Sequence, residues 1–138
     1  MYTIDEGQLT IPQEWKDESV NVLTPSTDGT PAFSLVITRD DMPQGVAFPD
    51  YAKQEVEKIS SSLPEFKLIE EQDTYRIDGH ATHRIEYLWK STEGHLHQMV
   101  AFTSKQQRVL VFTASAPDAL TEPQKKQVTQ MLLSFRFS

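Results

Sequence analysis

The chain contains no cysteine. That excludes disulfides, thiol nucleophiles and cysteine-based zinc or iron–sulfur sites. Glycine is scarce, and the five that occur (Gly7, Gly29, Gly45, Gly79 and Gly94) are far apart. A phosphate-cradling loop needs several glycines close together, so no Walker or dinucleotide loop is encoded. The Gly-x-Ser-x-Gly elbow of α/β-hydrolases is missing too. Long apolar runs are absent. Runs such as Val109-Leu110-Val111-Phe112 are far short of the ~20 residues that span a bilayer. The start, Met1-Tyr2-Thr3-Ile4-Asp5-Glu6-Gly7, lacks the basic residues and apolar stretch of a signal peptide, so a cytoplasmic location is expected. Positive charge is in deficit, with 13 Lys and Arg against 20 Asp and Glu and a net charge of −7. That balance opposes nucleic-acid binding and adsorption to anionic membranes. An acidic surface reads first as a solubility device.

What remains is enough for one compact unit. Hydrophobic residues make up 38% of the 138, which suits one domain over residues 1–138 with one core. Residues 2–4 and 8–11 read as short strands with Gly7 in the turn. Ser19 to Thr24 alternates, with Val20 and Val22 on one face. Asp28-Gly29-Thr30-Pro31 reads as a turn. Ala32 to Arg39 is the clearest strand, with Phe33, Leu35 and Ile37 on a core face. Its other face carries the small, half-polar set Ser34, Val36 and Thr38.

Asp40 to Ala47 reads as loop. A helix is expected from about Pro49 to Ser62, with Ala52, Val56, Ile59 and Leu63 in one apolar stripe. Lys67 to Ser115 reads as a four-stranded antiparallel meander. Its turns are Asp78-Gly79, Thr92-Glu93-Gly94 and Lys105-Gln106-Gln107. Gln98 is a single amide on a strand face shared with Leu96, Val100 and Phe102. Thr121 and Gln124 have capping-box spacing, and the helix after them should bury Val128, Met131, Leu132 and Phe135. Strands, helix, strands, helix is an α+β order, with an antiparallel sheet and helices packed on it.

Residues able to do chemistry do not converge. His80 and His83 fall on opposite strand faces, while His95 and His97 share one. Two ligands do not close a metal site, so all four histidines read as exposed hairpin residues and no metal is expected. The carboxylate pairs Asp40–Asp41 and Glu70–Glu71 read as solvated. Trp15, Tyr87 and Trp89 read as core or interface anchors. No catalytic residue or cofactor is implied, and the chain reads as a binding protein rather than an enzyme.

An ordered series of short matches identifies a resemblance. It runs through Leu9-Thr10-Ile11-Pro12, Trp15, Asp17, Ser19-Val20-Asn21-Val22 and Ser34-Leu35-Val36-Ile37-Thr38-Arg39-Asp40. Phe48, Asp50-Tyr51, Leu63-Pro64, Phe66-Lys67-Leu68, Gly79-His80-Ala81, Glu86-Tyr87 and Trp89 continue it. The series resembles the Eag chaperones, the effector-associated adaptors of bacterial type VI secretion, within the DcrB-like domain family. The resemblance implies a PsbP-like α+β fold, a homodimer and a cytoplasmic chaperone role. The implied cargo is the N-terminal transmembrane helices of a PAAR-containing effector, which the chaperone shields and helps load onto the VgrG spike.

The resemblance places Val20, Val22, Ser34, Val36, Thr38, Leu63 and Gln98 in a cargo groove. Glu55 and Ile59 fall on the flanking helix, where an amide and a smaller residue are expected instead. On the residues alone, Ser34, Thr38 and Gln98 also fit a solvent-facing sheet face. Two other functions stay open: a small-molecule or lipid-binding accessory domain of the same fold, and an enzyme using His95, His97 and a carboxylate.

Overall fold

The computed structural model describes residues 1–25 and 33–138. The expected turn at Asp28–Pro31 and the start of the next strand at Ala32 lie outside the described residues. Strands β1 (Tyr2–Ile4) and β2 (Gly7–Leu9) form a separate hairpin. Its turn is Asp5–Glu6, so Gly7 opens β2 rather than forming the turn.

The main sheet contains β3 (Asn21–Leu23), β4 (Ser34–Asp41), β5 (Lys67–Ile77), β6 (His80–Ser91), β7 (Gly94–Lys105) and β8 (Arg108–Pro117). Its order is β3-β4-β8-β7-β6-β5, antiparallel throughout. The meander is as expected. At its first turn Asp78 and Gly79 both have positive φ, +50° and +75°. That is the backbone a two-residue hairpin loop with the right twist requires.

One boundary differs. Asp40 and Asp41 are paired with Val109 and Arg108 at the end of β4 and are not loop. Aspartate is a poor strand former by itself, but the β8 ladder satisfies its backbone and overrides that preference.

The α-helices are α1 (Phe48–Ser62) and α2 (Glu122–Ser134). Pro49 lies in the first turn of α1, and Leu63 caps it in an extended conformation before Pro64, as a residue preceding proline must. α2 has the full capping box. Thr121 Oγ1 accepts from the Gln124 N–H at 3.2 Å, and Gln124 Oε1 accepts from the Thr121 N–H at 2.9 Å.

The two sheet faces are covered differently. One packs Phe33, Leu35, Ile77, Met99, Phe112 and Ala114 beneath Val128 and Leu132 of α2, with Met131 and Phe135 half-buried at the edge. The other packs Ile85, Tyr87, Val100, Phe102 and Val109 against Tyr51 of α1, with Val56, Ile59 and Leu63 half-buried. α1 lies against β6. α1 reaches Val109 of β8, but among the described residues no helix packs on Val36 of β4 or on β3.

Candidate functional site

Strand alternation fixes what the uncovered face carries. Along β4 these residues are Ser34, Val36, Thr38 and Asp40, paired with Ser115, Thr113, Val111 and Val109 of β8. At the sheet edge Val22 of β3 pairs with Val36. Gln98 and Val100 of β7 pair with Ser115 and Thr113. Small and half-polar side chains thus floor a shallow channel, and α1 forms its wall.

An open groove of about 450 Å³ runs along that wall. Thr38, Glu55, Ile59, Leu63 and Gln98 all line it. Five of the residues expected in or beside a groove are therefore brought together. Ser34 and Val36 lie farther along the same floor, half-buried. Val22 is at the edge and 64% exposed. Val20 precedes β3, so no ladder fixes its facing, and it too is exposed. Ile59 and Leu63, like Val56, are only half-buried against the sheet, and both line the groove.

Gln98 is held rigidly. Its Oε1 accepts from the Tyr87 hydroxyl at 2.7 Å and from Trp89 Nε1–H at 2.9 Å, while Nε2 donates to Ser115 Oγ at 2.8 Å. Both acceptor sites are filled, which settles the amide's orientation, and its second N–H has no partner among the described residues. Burial pushes the Tyr87 hydroxyl pKa up, so it stays protonated as a donor. Tyr87 and Trp89 thus position the groove amide, a role beyond the packing expected of them. Trp15 is 66% exposed and anchors no core.

At the other end of the groove Tyr51 donates to Asp40 Oδ2 at 2.6 Å. Burial, that hydrogen bond and the negative charge of Glu55 all push the Tyr51 hydroxyl pKa up. Asp40 is therefore partly shielded, and Asp41 pairs with Arg108 at 3.4 Å.

The histidines correct the sequence reading in part. His97 is buried, not exposed. Its Nδ1 accepts from the Leu120 N–H at 2.8 Å, so the ring proton sits on Nε2 and donates to Glu86 at 2.7 Å. Lys125 of α2 completes the cluster, 2.9 Å from the same carboxylate. Burial pushes Glu86 up, but the hydrogen bonds from Lys125 and His97 outweigh it and hold its pKa below the usual carboxylate range. This cluster was missed in the sequence. The available signal was Glu86 in mid-strand on the face that a capped helix beginning at Glu122 must cover. His83 is largely shielded as well, 2.6 Å from Glu71 beside a charged depression at the start of α1. His95 is exposed as expected. No three metal-ligating side chains converge among the described residues.

Comparison with known proteins places this geometry. A family model described as DcrB matches residues 6–134. EagT6 of Pseudomonas aeruginosa, named as an effector, is 31% identical over 137 residues, covering 96% of this chain and 94% of EagT6. A crystal structure of a Pseudomonas aeruginosa protein of unknown function superposes with a TM-score of 0.81 at 28% identity, over 99% of this chain and 95% of that one. LpqN of Mycobacterium tuberculosis, described as involved in cell envelope biogenesis, superposes with a TM-score of 0.54 at 14% identity, over 88% of this chain and 77% of that one. The last likeness is one of fold.

Proposed function

The chain belongs to the DcrB family, as an Eag-type member related to EagT6, and from that premise we propose that it is a cytoplasmic chaperone-adaptor for a type VI secretion effector. Its cargo is the effector's hydrophobic N-terminal helices. It shields them before export, acts as a homodimer, and helps deliver a PAAR-containing effector to the VgrG spike. The chain works as a single DcrB-like domain and carries out no catalysis.

The observation that carries this reading is the half-covered sheet face. α1 closes one side of it and leaves a groove whose α1 wall carries Ile59 and Leu63 beside Glu55 and Ser62, over a floor that mixes Val100 and Val111 with Thr38, Gln98 and Thr113. A transmembrane helix free in water exposes apolar surface all round. Ile59, Leu63, Val36 and Val22 supply matching apolar area, and each 100 Å² of it buried contributes roughly 2.5 kcal/mol before ordering costs. Transmembrane helices also pack through small residues and interhelical hydrogen bonds. Ser34, Thr38 and the fixed amide of Gln98 offer a helix those same partners.

A small-molecule or lipid site fits less well, because such ligands favour enclosed pockets and this groove is open along its length. Cargo release runs through competing contacts at the spike, since no nucleotide-binding loop is encoded. The test is co-expression with the N-terminal region of a candidate type VI effector. That region should stay soluble and co-purify only when the chaperone is present.

A further inference from the structure

The α1 end of the groove is built from hydrogen-bond acceptors. The Tyr51 hydroxyl spends its proton on Asp40 Oδ2 at 2.6 Å, and Asp40 Oδ1 accepts from the Asp41 N–H at 2.9 Å. Glu55 lines the same end with its side chain 22% exposed, and its ion-pair partner, Lys58 at 3.3 Å, is itself 72% exposed. An exposed lysine one helical turn away holds a carboxylate only weakly. Arg39 also lines this groove, but its guanidinium donates to the carbonyls of Ser19 and Ile37 at 3.3 and 3.4 Å, and it forms no ion pair with Asp40 or Glu55 among the described residues. Apolar walls stand next to the acceptors, with Ile59 and Leu63 on one side and Val100 and Phe102 on the other.

A purely apolar helix seated here would strip water from two carboxylates and give nothing back. We infer that the groove selects an apolar helix bearing a Lys or Arg side chain, whose stem lies on Ile59 and Leu63 and whose cationic head pairs with Glu55 and Asp40. Apolar segments that cross membranes are commonly flanked by such residues, and their long stems lie along apolar surface while the charge reaches a polar group. This selectivity rests on the helix-binding reading above and goes beyond it by naming a charge the cargo must carry.

The test uses the full chain and two soluble carrier fusions. Each fusion displays an Ala/Leu helix of about 20 residues, one with Lys near its end and one with Met at that position. Wild type should bind the Lys helix about tenfold more tightly than the Met helix, as expected of a partly desolvated charge pair. Glu55→Gln should weaken that preference and leave the thermal melt unchanged, and Glu55→Gln combined with Asp40→Asn should remove it. Equal binding of both helices by wild type would overturn the charge selectivity and leave the groove standing. A Lys preference surviving Glu55→Gln combined with Asp40→Asn would overturn it as well. Binding of neither helix would overturn the groove reading and the selectivity together.

Discussion

At the scale of single residues, the groove floor separates folding from binding. Val22 is 64% exposed at a sheet edge, so Val22→Asp should cost the fold less than about 0.5 kcal/mol. It should nevertheless abolish co-purification with cargo, because a charge would replace apolar contact. Pull-down and thermal melt on the same preparation check both halves. Gln98 behaves differently. Gln98→Leu strands the Tyr87 hydroxyl and the Trp89 indole N–H, two donors that the amide oxygen now accepts from. It should lose about 1–3 kcal/mol in urea unfolding as well as cargo binding. The sequence showed Gln98 as an odd amide among apolar neighbours. It did not show that Tyr87 and Trp89 hold it, because that depends on cross-strand register.

At the scale of elements, α2 is held by more than its apolar stripe. Its capping box was legible from Thr121 and Gln124 alone, and Thr121→Ala should cost about 1 kcal/mol, read from the denaturation midpoint. The Glu86–His97–Lys125 cluster was not legible, since it joins two strands and a helix far apart in sequence. It gives α2 docking a pH dependence. The folded-state pKa of Glu86 lies below its unfolded value. Its contribution is therefore present above the unfolded carboxylate value and lost as pH falls through the folded one. Wild type should lose thermal stability steeply below about pH 4.5, and Glu86→Gln should flatten that acid limb while lowering stability at neutral pH. An acid limb identical in both proteins would show that other carboxylates govern it. The helix α1 was predicted almost to its ends, because its stripe and Pro64 are local signals. That the sheet buries only part of the stripe was hidden, since helix placement is set by the tertiary fit.

At the scale of the whole molecule, one antiparallel sheet presents a sealed face and a half-open one. Both faces carry a buried cluster that contributes to stability. The open face is what makes the molecule a candidate carrier, and a net charge of −7 favours its solubility. The meander and the α+β order were readable because each hairpin announces itself locally, as at Asp78–Gly79. A cargo groove is an expectation from the family resemblance, and the residues alone allowed Ser34, Thr38 and Gln98 to be ordinary solvent-facing positions. Strand register and the placement of α1 are what bring Thr38, Glu55, Ile59, Leu63 and Gln98 to one wall and floor. The most direct test of the carrier role is the soluble yield of an effector's hydrophobic N-terminal region expressed alone, with this protein, and with its Val22→Asp variant. The account predicts soluble, co-eluting effector only with the wild-type protein. Equal solubility in all three would contradict it.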